Sequence, residues 1–275
     1  MRKKPTGAIR IGIGGWTYPP WRGSFYPDKL PQKRELEYAS RQLTSIEING
    51  TYYGAQSPAS FAKWHAETPE DFVFSVKAPR YIMNRRVLAG AGDGIARFLA
   101  SGVTELKDKI GPINWQFLPT KIFEPADFEA FLKLLPAQAR GCTLRHVVEV
   151  RHDSFRSADF IALVREHGVG VVIAGDSAYP QLADPTVPFV YIRIMGTQAA
   201  QVLGYSEHAL DVWAARALAL ASGAAPEGLE RVERLERRSV GNPRDVYLYV
   251  IGGHKVHNPA AAMSLIRRIA HRSDS

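Results

Sequence analysis

Eight short runs of apolar, mostly β-branched residues punctuate this chain, and their spacing restricts its fold more than any other feature. They are IRIGIGG (9–15), SIEIN (45–49), FVFSVKA (72–78) and GPINWQF (111–117), then HVVEVR (146–151), GVVIAGD (170–176), FVYIRIMG (189–196) and DVYLYVIGG (245–253). Runs this apolar fit strands of a parallel sheet covered on both faces. Helical patterns separate most of them. Residues 31–43 set Leu36, Ala39 and Leu43 on one face. Ser57-Pro58 opens a helix through Trp64, with serine as cap and proline in the first turn. Asp93, Glu124-Pro125, Ser157, Ser206 and Asn258-Pro259 start further helices, and Gly168 follows the Ser157 helix as its stop. Residues 226–238 read as an extra charged helix before strand eight, whereas the sixth connection, 177–188, is too rich in proline for a full one.

Eight strands with right-handed helical crossovers predict an α/β fold, a single-domain (β/α)8 TIM-type barrel over residues 1–275, its sixth helix short or missing. The rival, an open doubly wound sheet, needs a G-x-G-x-x-G turn after the first strand. Here Gly12, Gly14 and Gly15 are followed by Trp16, Thr17 and Tyr18, so that turn is missing and no organic cofactor is indicated.

Cysteine usage and hydropathy bear on the compartment. One cysteine, Cys142, excludes an internal disulfide and suits a reducing environment. The basic start lacks the apolar run of a signal peptide, and no stretch approaches the roughly 18 apolar residues of a membrane span. The expectation is a cytoplasmic protein with no membrane partner. A net charge of +8 favours acidic ligands, nucleic acid among them. The basic residues are dispersed, however, in short clusters such as Arg85-Arg86 and Arg267-Arg268, so a solvated surface is the simpler reading.

Several segments carry a family resemblance: IGIGGWTYPPWRGSFYP (11–27), IEIN (46–49), VKAPR (76–80), QFLP (116–119), VEVRHDSF (148–155), GDS (175–177), VYIRIMG (190–196) and GYSEHAL (204–210). In these, along nearly its whole length, the chain resembles the domain of unknown function 72 family, the YecE-like barrels. The resemblance implies a (β/α)8 barrel and brings no established activity. The stretch IGGHKVHNPAAA (251–262) departs from the asparagine-rich sequence usual there in that family.

Strand side chains alternate, so in a barrel one parity faces the lumen and the other the helices. Assigning the apolar parity to the helices sends Glu47, Asn49, Ser75, Lys77, Asn114, Gln116, Glu149, Arg151, Tyr191 and Arg193 inward, with Asp176 ending strand six. Most lie late in their strands, at the C-terminal mouth where this fold builds its sites. Glu47, Lys77, Glu149 and Asp176 are the catalytic candidates. Arg151, His152 and Arg193 are candidates to hold substrate with Asn49 and Gln116. Trp16 and Tyr52 offer stacking faces, among aromatics that also include Tyr18, Trp21 and Tyr53. Gly196, Gly252 and Asn258, in the loops after strands seven and eight, suit a phosphate site, with His254, Lys255 and His257 adding charge. The alternative for the ions is a self-neutralising network, and for the rings a loop core.

Barrel glycosidases commonly carry carboxylates about 5 Å apart on strands four and seven, positions filled here by Gln116 and Arg193. Metal-dependent hydrolysis would draw on Glu47, Glu149, His152 and Asp176, so a divalent metal stays open although three lumen cations oppose it. A Schiff-base role for Lys77 is a minor option, because its strand neighbour Glu47 would raise its pKa. The favoured reading is an enzyme of hydrolase or lyase type acting on a sugar phosphate, nucleotide or other anionic small molecule by acid/base chemistry. Rivals are a nucleic-acid-binding protein or metal-dependent nuclease, and a non-catalytic ligand sensor.

Overall fold

The computed structural model describes residues 6–233 and 241–274. All eight runs form strands: β1 (Ile9–Gly14), β2 (Ser45–Ile48), β3 (Val73–Lys77), β4 (Ile110–Gln116), β5 (His146–Glu149), β6 (Gly170–Gly175), β7 (Phe189–Ile194) and β8 (Asp245–Val250). Each pairs in parallel with the next, and β8 closes onto β1 with Ile9 opposite Val246 and Ile13 opposite Val250. Closure leaves no open edge in this sheet.

Helices cover the outside: Glu35–Gln42, Pro58–Glu67, Gly92–Ala100, Pro125–Lys133, Ala158–Glu166, Glu207–Ala221 and Asn258–Asp274. Serine caps act where expected. The Ser57, Ser157 and Ser206 hydroxyls accept from the amides of Ser60, Phe160 and Ala209. Ile11, Ile13, Ile46 and Ile48 face outward into the main core with Leu36, Ala39 and Phe61. A second apolar cluster fills the lower lumen, where Val73, Val147 and Val172 pack with Tyr191, Tyr247 and Tyr249. The two clusters are the two parities of the same strands.

Two connections differ from expectation. Among the described residues of the expected extra helix, 226–233 run as loop and turns; the remainder, 234–238, lies outside the described residues. The local amides are engaged elsewhere. Asp184 accepts from Val232 and Glu233 at 2.9 Å each, and Ala183 N–H donates to the Glu230 carbonyl. This pairing tethers the helix-less sixth connection. Before β5 lies an unforeseen hairpin, Gln138–Ala139 with Cys142–Thr143. Arg140 and Gly141 both take positive φ, as a two-residue type I′ turn requires.

Candidate functional site at the barrel mouth

Register brings the inward parity together. Glu47 lies opposite Gly14 and Ser75, Lys77 opposite Asn114, Gln116 opposite Glu149, and Arg193 opposite Ala174 and Tyr249. Glu47 and Glu149 are wholly buried, so each carboxylate needs partners to offset its lost hydration.

Arg193 reaches across the lumen to supply them. Its Nη2 lies 3.1 Å from Glu47 Oε1 and its Nη1 2.6 Å from Glu149 Oε2. Arg151 grips Glu149 Oε1 through Nη2 at 2.6 Å and Nε at 2.9 Å, and donates to Gln116 Oε1 at 2.9 Å. Tyr191 donates its hydroxyl to Glu47 Oε2 at 2.6 Å, and Asn114 Nδ2 donates to Glu149 Oε2 at 3.1 Å. Below, the Tyr249 hydroxyl sits between those of Ser45 and Ser75 at 2.7 and 2.6 Å. Burial acts to raise the Glu149 carboxyl, but Arg193, Arg151 and Lys77 outweigh it and hold its pKa down at about 2. Burial opposes the charge on Arg193, and Glu149 and Glu47 reverse that effect and raise its pKa. Burial and then Glu47 push the Tyr191 hydroxyl well up, so it stays a donor. Every carboxylate oxygen in this cluster has a partner.

Lys77 is different. Among the described residues its ammonium makes no ion pair or hydrogen bond; it faces the Tyr52 ring, 4.0 Å from the centroid. Only 7% of the residue is exposed, and burial followed by the neighbouring Arg193 lowers its pKa to about 8, despite Glu47 and Glu149 acting the other way. The neighbour by strand order, Glu47, is engaged by Arg193 and Tyr191 instead.

Above Lys77 opens a cavity of about 450 Å³, lined by Trp16, Asn49, Tyr53 and Trp64 with Arg193 and Lys255. Arg193 Nε and Asn49 Oδ1 are buried without partners among the described residues. Gly14 makes room for Asn49, because a Cβ there would meet Asn49 Nδ2 at 2.4 Å. Trp16 stands edge-on to Trp64, with centroids 5.0 Å apart, so it serves the loop core and the cavity wall together. Trp21 is fully buried and donates from Nε1 to the Lys255 carbonyl, while the Lys255 ammonium lies over Tyr18. The Tyr52 hydroxyl accepts from Gln116 Nε2 at 3.4 Å.

Other expected residues stand apart. Asp176, with φ of 53°, is exposed and accepts from Trp213 Nε1 at 2.8 Å, on the wall of a separate cavity shared with Gly196 and Tyr205. His152 Nδ1 caps a short turn through Ser154. Gly196 N–H donates to the Tyr205 hydroxyl. The Thr197 hydroxyl lies 3.0 Å from the Gly252 carbonyl and 2.8 Å from Asn258 Oδ1, clasping the loops after β7 and β8 together. Asn258 is buried at the start of its helix, following a single 3-10 turn, Lys255–His257. Among the described residues, no three His, Cys, Asp or Glu side chains gather as a metal site. Sequence reasoning did not assign Trp64 to the site, since its helical periodicity marks it as packing. Strand parity sends Ser75 inward but gave no hint of its contact with Tyr249 and Ser45, because hydroxyls carry no charge signal.

The barrel has solved counterparts. A DUF72 family protein from Thermotoga maritima superposes with a TM-score of 0.71 at 19% identity, covering 98% of this chain and 100% of its own. One from Enterococcus faecalis gives 0.69 at 18%, covering 96% and 98%. A xylose isomerase-like TIM barrel/4-hydroxyphenylpyruvate dioxygenase fusion protein gives 0.51 at 16% identity, covering 98% of this chain but 44% of the fusion. At these identities the likeness is one of fold. The UPF0759 protein YunF of Bacillus subtilis is 36% identical over 70 residues; the match spans 26% of this chain and about a quarter (24%) of that relative. No helix among the described residues is long and apolar enough to cross a membrane. The profile described as protein of unknown function DUF72 matches residues 10–275, taking in every barrel strand but the first residue of β1 and every lumen residue above, and the chain therefore belongs to the DUF72 family.

Proposed function

We propose that the protein binds a phosphorylated or otherwise anionic small molecule in the mouth cavity and acts on it by proton transfer. One observation carries this reading. Glu47 and Glu149 are committed to Arg193 and Arg151, which leaves the Lys77 and Lys255 ammoniums at the cavity without a carboxylate partner among the described residues. Arg193 lines the same cavity, its Nε buried without a partner among the described residues. A ligand that brings negative charge satisfies both ammoniums, each charge-assisted hydrogen bond being worth about 1.5–3 kcal/mol.

The proton-moving role falls to Lys77 rather than to Glu149. A carboxyl with a pKa of about 2 and both oxygens occupied is a poor base near neutral pH, whereas an amine at about 8 is well matched to it. Glu47 and Glu149 instead orient the arginines. Trp16, Asn49 and Tyr53 line the space a sugar or base would fill.

Thermal melts test the reading. Glycerol 3-phosphate should stabilise the parent in proportion to ln(1 + [L]/Kd), and Lys77→Met and Lys255→Met should each lose most of that shift. Equal shifts in parent and variants would sink it. Binding of oligonucleotides with a steep salt dependence, and none of the small anion, would favour the nucleic-acid rival. Binding without turnover of any phosphorylated compound would favour the sensor.

A further inference from the structure

We propose that Lys77 is a covalent amine, and that the ligand of the mouth is a small anionic aldehyde or ketone which it captures as an imine. This rests on the anion-binding reading above and adds the reacting group.

Four features of the site converge on it. Lys77 is the last residue of β3, and it lines the floor of the cavity rather than a sealed pocket. Two carboxylates lie in the same lumen, yet neither bonds the amine. Arg193 takes Glu47 and, with Arg151, Glu149, so among the described residues no ion pair holds the nitrogen in its protonated form. Those arginines also place two fixed positive charges near the amine, which with burial disfavours its protonated form. An amine needed only for its charge would gain from a carboxylate partner, and an arginine would do that work with more hydrogen bonds. Finally, the amine lies over the ring face of Tyr52, an apolar neighbour that offers it no hydrogen-bond acceptor in place of a carboxylate.

The step balances without an oxidant or reductant. The Nζ lone pair adds to the carbonyl carbon as the carbonyl π pair moves to oxygen, which takes up a proton. The nitrogen then loses a proton, giving a neutral carbinolamine. Protonation of its hydroxyl releases water and leaves a protonated imine. Water in the open cavity can exchange these protons, and Lys255 would hold the anionic end. A cavity of about 450 Å³ suits a compound of sugar-phosphate size.

Borohydride trapping decides it. The intact protein is incubated separately with dihydroxyacetone phosphate, pyruvate and glyoxylate near neutral pH, reduced, and mapped by peptide mass spectrometry. Lys77 should carry the reduced adduct from at least one probe about tenfold above any surface lysine, with protection by glycerol 3-phosphate. Lys77→Arg, which keeps the charge, should abolish that adduct. If glycerol 3-phosphate binds but no probe labels Lys77 above the surface lysines, the imine is overturned and the anion site stands. If Lys77 is trapped while glycerol 3-phosphate neither binds nor protects, the imine stands and the anion reading falls.

Discussion

Two walls of the same barrel mouth treat their polar groups in opposite ways. On the β7–β8 side the loops are clasped: Thr197 reaches the Gly252 carbonyl and Asn258, Gly196 N–H is taken by Tyr205, and His254 N–H donates to the Thr197 carbonyl. On the β1–β3 side, among the described residues, Lys77 has no polar partner and Asn49 Oδ1 has none, and a cavity opens over them. Many barrels of this fold hold a phosphate at the loops after strands seven and eight. Here the spare capacity lies at Lys77 and Asn49 on the other wall, and at Lys255, which reaches the same cavity from the loop after β8. Saturated hydrogen bonds hold shape, and unsaturated buried ones await a partner, since leaving them unmade costs free energy.

The contrast is broken most forcefully at Arg193. Replacing it with methionine leaves Glu47 and Glu149 facing one another in the lumen, and denaturant unfolding should register a loss of about 3–5 kcal/mol. A loss under about 1 kcal/mol would mean that the network does not hold the barrel.

Glu149 sharpens the same wall through pH. Its pKa of about 2 lies below the ordinary 4.5, so the unfolded chain binds the proton more tightly. Its contribution is complete above pH 4.5 and is lost as the pH falls towards 2, about 3 kcal/mol in all. Glu149→Gln should lower stability at neutral pH and flatten that acid limb in urea titrations.

Lys77 should show the opposite sign. Its folded pKa of about 8 lies below 10.5, so between these values the unfolded state holds more protons and stability rises with pH. Lys77→Met should remove that rise and, at neutral pH, raise stability by up to about 2–3 kcal/mol, while small-anion binding collapses. A variant less stable than its parent would make Lys77 a structural cation. Anion affinity of the parent should weaken as pH climbs through about 8.

The smallest effect belongs to the clasp. Thr197→Val should cost about 1 kcal/mol in stability and leave glycerol 3-phosphate binding unchanged. A matching loss of binding would place the anion at the clasped backbone of the β7–β8 loops rather than in the cavity over Lys77.

Periodicity by itself determined the barrel, because strand alternation is a local property. It separates Ile46 and Ile48 from Glu47, and Val148 and Val150 from Glu149, without reference to any other strand. The same rule named Lys77, Gln116 and Arg193 as inward. It went astray at residues 226–238, where helical spacing in the described part gave way to amides held by Asp184. Partnership across the lumen is where only the tertiary structure decides. Strand order sets Glu47 beside the Lys77 strand, but the side chain that reaches it comes from Arg193, 146 residues away. Barrel closure and the length of an arginine make that contact, and neither is written in local sequence. Because Arg193 takes the carboxylates, Lys77 is left without an ion pair among the described residues and with a depressed pKa, the reverse of what its neighbour alone implies.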